Sequence, residues 1–95
     1  MITNSAIKCT WKNQNVLFED HRHADAYEFL HNVQKAKQLP QPDVIVEGFV
    51  DEKHHFYTRA QAIEIARAAN QLPADFAAAQ LYSEDIWPIE PGENI

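Results

Sequence analysis

The stretch Gly48-Phe49-Val50-Asp51-Glu52-Lys53-His54-His55-Phe56-Tyr57-Thr58-Arg59-Ala60-Gln61-Ala62-Ile63-Glu64-Ile65-Ala66-Arg67-Ala68-Ala69-Asn70 decides the fold. It reads as strand, turn, strand, helix cap and helix. The run from Asp43 to Val50 holds Val44, Ile45, Val46, Phe49 and Val50, all good strand formers. Apolar residues fall on both parities, so both faces of this strand are expected to be covered, or one face meets another subunit. Gly48 interrupts the run and marks a bulge or a close approach to the backbone. Asp51 to His54 make a turn, and His55-Phe56-Tyr57 a short return strand. Thr58 and Gln61 have the spacing of a capping box, in which each side chain bonds the other residue's backbone N–H. The following helix, Arg59 to about Gln71, is rich in alanine. Its buried stripe is Ala62, Ile63, Ala66 and Ala69, with Arg59, Glu64 and Arg67 on or near the wet side.

The segment before it repeats this order loosely. Ile7, Cys9 and Trp11 alternate with Ala6, Lys8 and Thr10, the pattern of a half-buried strand. Lys12 to Asn15 are polar turn residues, and Val16-Leu17-Phe18 returns, so residues 5–18 form a hairpin. A charged connector, Glu19 to His23, leads into a helix from Ala24 to about Lys37. That helix buries Ala26, Leu30, Val33 and Ala36, widened by Tyr27 and Phe29. Pro40 and Pro42 end it. Toward the C-terminus, Ala74 to Gln80 allow one short helical turn around Phe76. Leu81, Tyr82, Ile86, Trp87 and Ile89 are too apolar for a free tail and are expected to dock. Glu90 to Ile95 are expected to fray. The chain therefore reads as one α+β domain over 1–95, its ordered core at about 4–89. An antiparallel sheet of four strands in β-β-α-β-β-α order carries two helices on one face.

A chain of 95 residues buries only about 60–65% of its unfolded surface, so support from self-association is expected. The net charge of −6 disfavours general nucleic-acid binding, which needs clustered cations. It leaves room for a small anion held by local donors, and it suits a protein that plugs a basic groove on another protein. Cys9 is the lone cysteine and has the phase of a core residue. The N-terminus has neither a basic n-region nor an apolar h-region, and no apolar run reaches membrane-spanning length. A cytosolic protein without a membrane role is expected.

The residues that could carry chemistry cluster where the two helices begin. Arg22 with His21 and His23 precedes the first helix, and Thr58-Arg59 opens the second. Helix N-termini offer free N–H groups to phosphate, and arginine adds a bidentate fork. If both helices start from the same edge of the sheet, their N-termini face one pocket. Alternatively, Arg22 pairs with Asp20 or Glu19, and Arg59 is a surface residue. His21, His23, His54 and His55 lack the supporting ligands of a zinc site, so no metal or cofactor is expected. No Gly-rich phosphate loop, nucleophile elbow or HExxH is present, so no catalytic residue is assigned. Phe49, out of phase with Val50, is a candidate to face a ligand or a second chain.

Gly48-Phe49, Phe56, Arg59, Ala62-Ile63, Ile65-Ala66, Ala69 and Gln71, followed by Leu81-Tyr82-Ser83-Glu84-Asp85-Ile86-Trp87, form a wider pattern. Together with Ala6-Ile7 and Arg22-His23 it resembles small proteins encoded by bacteriophages and prophages. The Leu-Tyr-Ser-Glu-Asp-Ile-Trp segment is the most specific part. The pattern is similar to that of the Thoeris anti-defence sponge family, which binds cyclic ADP-ribose-type signals between subunits. The resemblance implies a homo-oligomer, dimer or higher, that captures a cyclic nucleotide without catalysis. Its ligand-binding residues would be Arg22, His23, Phe49, Thr58, Arg59, Ser83 and Glu84. The second hypothesis is an acidic protein–protein inhibitor such as an anti-CRISPR-like factor, and the third a metal-dependent enzyme.

Overall fold

Strand β1 (Ile2–Trp11) sits near the middle of a four-stranded sheet of order β2-β1-β3-β4 in the computed structural model, which describes residues 1–93. β2 spans Gln14–Asp20, β3 Val44–Asp51 and β4 Phe56–Thr58, and every pairing is antiparallel. Helix α1 is His23–Lys37, α2 Arg59–Ala68, and α3 the single turn Ser83–Ile86. The four-stranded α+β fold read from the sequence is the one observed.

Register explains why both long helices lie on one face. Ile7 pairs with Phe18 and Glu47, Cys9 with Val16 and Ile45, and Ser5 with Asp20 and Phe49. These residues therefore share the inner face. Ile7, Cys9 and Phe18 pack against Ala26 and Leu30 of α1. Ile2 and Phe49 pack against Ala62, Ile63 and Ala66 of α2, with Leu81 from the C-terminal segment. Fully burying a side chain of this size stabilises the fold by about 1.5–3 kcal/mol. Ile2 is held at the end of the sheet by Gln71, which accepts from its N–H and donates to its carbonyl, both at 2.7 Å.

Local signals set the connections. Lys12 and Asn13 have φ of 48° and 70°, the pair of left-handed residues that a two-residue hairpin with the strand twist requires. The turn is thus shorter than the Lys12–Asn15 reading, and Gln14 and Asn15 already belong to β2. α1 ends with Gln38 in the left-handed conformation, its N–H on the Gln34 carbonyl. Asp51 organises the turn after β3. Its Oδ1 accepts from the Lys53 and His55 N–H groups at 2.9 and 3.0 Å, and its Oδ2 from the Tyr57 hydroxyl at 2.8 Å. Thr58 and Gln61 close the capping box of α2 in both directions.

Gly48 is where the chain runs closest to itself. A Cβ there would stand 2.0 Å from the Tyr57 carbonyl oxygen and 2.7 Å from the Phe56 ring. On the outer face Phe56 thus lies against Gly48, beside the buried Ala6 and Val50, with Lys8 Nζ 5.2 Å from its ring centre.

Beyond α2 two expectations change. Residues 74–80 form no helix; a turn from Pro73 to Phe76 replaces it. The C-terminal segment does dock, because Leu81 is fully buried and Ile86 and Trp87 pack on the same cluster. It continues as a bonded segment to Glu93, whereas Asn94 and Ile95, also expected to fray, lie outside the described residues. Among those residues no helix is long and apolar enough to cross a membrane.

Candidate functional site

The pairing register brings Asp20, Ser5, Phe49 and Tyr57 to one level of the sheet. α1 starts three residues after Asp20 and α2 starts two residues after Tyr57. β2 and β4 run in opposite directions, yet both helices begin at this level because β4 has only three residues. Each further residue would carry Arg59 about 3.3 Å away. Ser83 is brought in by the docked C-terminal segment. The result is a pocket of about 210 Å³ lined by Arg22, His23, Ala24, Arg59, Tyr82, Ser83 and Glu84.

Five of the seven residues singled out in the sequence therefore line one pocket: Arg22, His23, Arg59, Ser83 and Glu84. Phe49 does not face it. It is fully buried, 5.0 Å from His23 and 6.5 Å from Trp87 by ring centres, so it supports the pocket from below and offers no open face for a base. Phe49 does point away from Val50's face, as its parity requires, but the C-terminal segment folds back and covers it. Thr58 is the N-cap of α2, its hydroxyl accepting from the Gln61 N–H at 3.2 Å, and it lies outside the pocket lining.

Arg59 departs from its expected place on the wet side. Its side chain is only 14% exposed. Nη1 donates to the Leu81 carbonyl at 2.7 Å, Nη2 to Glu47 Oε1 at 3.0 Å, and the guanidinium lies 4.5 Å from the Tyr82 ring centre. The fork therefore ties the start of α2 to β3 and to the C-terminal segment at once. Glu47 also accepts from the Tyr27 hydroxyl at 2.7 Å. That bond, with the bond from Arg59, outweighs burial and holds the Glu47 carboxyl below its ordinary range. Burial and the same contact push the Tyr27 hydroxyl up to about 12.

His23 donates from Nε2 to the Gly48 carbonyl at 2.7 Å, since a carbonyl only accepts. Burial first, and the Arg59 charge second, lower its pKa, so the ring is neutral at pH 7. It borders the pocket as a dipole whose proton is already engaged. Arg22 pairs with neither Asp20 nor Glu19. It is 2% exposed and reaches Ser83 Oγ at 3.2 Å, the Pro88 carbonyl at 3.3 Å and the Glu93 carboxylate. As the N-cap of α1 it supplies no side-chain acceptor. The first-turn N–H groups of α1 have no partner within the helix, and Ala24 of that turn lines the pocket.

The four histidines near the turns are dispersed. His21 stacks on Trp87 at 5.2 Å, His54 bonds Glu19 at 2.8 Å, and His55 stands 3.6 Å from Asp51. Among the described residues no group of three or more His, Cys, Asp or Glu is placed to hold a metal ion. Residues outside those seven complete the site: Ala24, Tyr82, and Glu47 just behind the lining. Glu47 carried a usable signal, being the one charge on the inner parity between Ile45 and Phe49.

A small antiparallel α+β domain with its C-terminal segment strapped across the starts of two helices is thus the class of protein that the geometry defines. The model of the Phage T4 y16D protein family matches residues 1–87, and the chain belongs to that family. This is a small phage protein family, as the pattern from Ala6-Ile7 to Leu81–Trp87 led one to expect. No curated protein and no solved structure matches the chain.

Proposed function

We propose that this phage protein is a non-catalytic binder that sequesters a small cyclic nucleotide signal of the cyclic ADP-ribose type, as a counter-defence sponge. The observation that carries the reading is the convergence of Arg22, His23, Arg59, Ser83 and Glu84 on one pocket at the open start of α1. The α1 N-terminus and Arg59 suit a phosphate. Glu84 and Ser83 suit the hydroxyls of a ribose. Tyr82 is 45% exposed beside them and offers a face for a base. A pocket of about 210 Å³ is smaller than the roughly 300–1,000 Å³ of sites that enclose a whole ligand. It fits one phosphoryl group, and a second subunit over Tyr82 would enclose the rest.

The test is small-molecule mass spectrometry on freshly purified, denatured protein, with calorimetry against a panel of cyclic nucleotides. A nucleotide released intact, or saturable binding lost in Arg59→Ala, supports the reading. Neither release nor uptake across the panel refutes it.

A second reading, an acidic protein–protein inhibitor, is favoured by the outer face of the sheet. Leu17, Val46 and Phe56 are half-buried there and Val44 is 52% exposed, with no helix packed over them among the described residues. Capture of a nucleic-acid-binding partner from host lysate, weakened by salt, would replace the sponge reading.

A further inference from the structure

Arg22 carries a feature that the pocket above does not use. Its Nε donates to Glu93 Oε1 at 2.6 Å and its Nη2 to Glu93 Oε2 at 3.1 Å. This is the two-point fork by which arginine holds carboxylate or phosphate. The partner comes from a stretch without helix or strand, Pro88 to Glu93, beyond the residues that the family model matches. Arg22 itself lies inside the matched residues. Glu93 Oε2 also accepts from the Glu90 N–H at 3.0 Å, a contact within the same short segment. A cavity of about 620 Å³ lies against His21, Arg22 and Trp87, and the segment Glu90–Glu93 forms its opposite wall. Arg22 therefore lines two hollows, this cavity and the small pocket that Ser83 also lines.

A buried guanidinium requires an anionic partner, because an uncompensated buried charge is strongly destabilising. Any change that lifts the Pro88–Glu93 segment exposes an arginine fork that Ser83 still orients through Nη1. We propose that the Nε/Nη2 edge of Arg22 is a binding site for a phosphate group, filled in the free protein by Glu93, so that the C-terminal segment gates the ligand site. Glu93 stands where a ligand phosphate stands when the segment is displaced. The inference rests on the reading of this region as a phosphate-ligand site, and it adds the residue that competes with the ligand.

The test uses the full chain, as wild type, Glu93→Gln and Glu93→Asp, titrated with inorganic phosphate at constant ionic strength. The Arg22 Nε–H resonance in nitrogen–proton correlation spectra reports the fork directly. In Glu93→Gln this resonance is expected to move saturably, with half-saturation at least tenfold below that of wild type. In Glu93→Asp, one methylene shorter, it falls between the two. Equal responses in all three folded chains overturn the proposal. So does a Glu93→Gln chain that stays unfolded with and without phosphate, because Glu93 is then a structural strut and not a displaceable plug. Failure of the nucleotide panel with a tenfold gain for phosphate in Glu93→Gln sinks the choice of nucleotide and leaves the gate standing. Nucleotide binding that is equal in wild type and Glu93→Gln does the reverse.

Discussion

Gly48→Ala is the sharpest single perturbation of this fold. The added Cβ would stand 2.0 Å from the Tyr57 carbonyl oxygen, an atom of the neighbouring strand that no side-chain rotation can move away. Contacts below 3.0 Å are essentially never seen for real Cβ atoms, so β3 and β4 must separate by about 1 Å or more at this point. Neighbouring strands sit about 4.8 Å apart, and a 1 Å spread breaks the ladder bonds between them. β4 has three residues and pairs only through Gly48–Thr58, Phe49–Tyr57 and Val50–Phe56, so it cannot lose one pair and keep the rest. Overpacking of this kind costs about 1–3 kcal/mol. For a domain of this length each kcal/mol lowers Tm by about 4–8 °C. The expected fall is therefore roughly 8–16 °C for a cost near 2 kcal/mol. Thermal unfolding followed by far-ultraviolet circular dichroism measures it. The displacement also reaches the site, because the Gly48 carbonyl holds His23. The His23 ring protons should thus shift in the same variant. A Tm within about 2 °C of wild type, with an unmoved His23, would refute the argument from close approach.

Arg59→Lys keeps the charge but loses the fork, leaving either Leu81 O or Glu47 without its donor, so urea unfolding should show a loss of about 1.5–3 kcal/mol; no change in the midpoint would sink that role. At Asp51 burial pushes the carboxyl up, but the donors from His55, Tyr57 and Lys53 outweigh it and hold it at about 2, while the Arg22 fork and the Glu90 N–H hold Glu93 at about 2. Both values lie below the unfolded range of about 4, so this stability is present above about pH 4–5 and is lost as the pH falls toward 2. Tm measured against pH should fall in that window, less steeply in Asp51→Asn, and a flat profile down to pH 2.5 would be inconsistent with it (about two units below the ordinary carboxylate). His23 should titrate below the ordinary value of about 6.5 in proton spectra, and Arg59→Met should raise its midpoint. Cys9, buried with its thiol near about 11, should react with a disulfide reagent at pH 8 at least about a hundredfold more slowly folded than unfolded.

The parts of this fold that were legible in the sequence are those set by local chemistry. Thr58 and Gln61 mark the start of α2 because a capping box needs only residues three apart. Ile7, Cys9 and Phe18 mark an inner face because strand parity is a local property. The glycine at 48 announces a close approach, though not what approaches. Misreadings occur where a distant segment intervenes. A helical wheel places Arg59 at the edge of the wet side, but Leu81 and Tyr82 pass over that edge and turn the guanidinium inward. Phe49 lies on the inner parity, yet whether that face is open or closed depends on Trp87, which arrives 38 residues later. The meeting of the two helix N-termini was legible only as a condition, that both helices start from the same edge of the sheet. The shortness of β4, which makes them meet at one level, was legible at three residues, His55 to Tyr57, one position ahead of Phe56–Thr58. Nothing in the sequence near Arg22 names Glu93 as its partner.

Both arginines of the site are engaged before any ligand arrives, Arg59 by Glu47 and Arg22 by Glu93. This changes what an anion must do to bind. It does not meet an exposed cation against an acidic background of −6. It must exchange with a carboxylate that the protein supplies, and its affinity is the difference between two similar forks. The two exchanges are not equivalent. Glu47 sits on a strand and is held by Tyr27 as well as Arg59, so releasing it disturbs the sheet. Glu93 sits on a segment without regular structure, and its partners Arg22 and the Glu90 N–H lie outside the sheet. In the gate proposed above, a ligand phosphate displaces Glu93 and leaves Glu47 in place. Arg22 then acts as the adjustable contact and Arg59 as the fixed wall beside it.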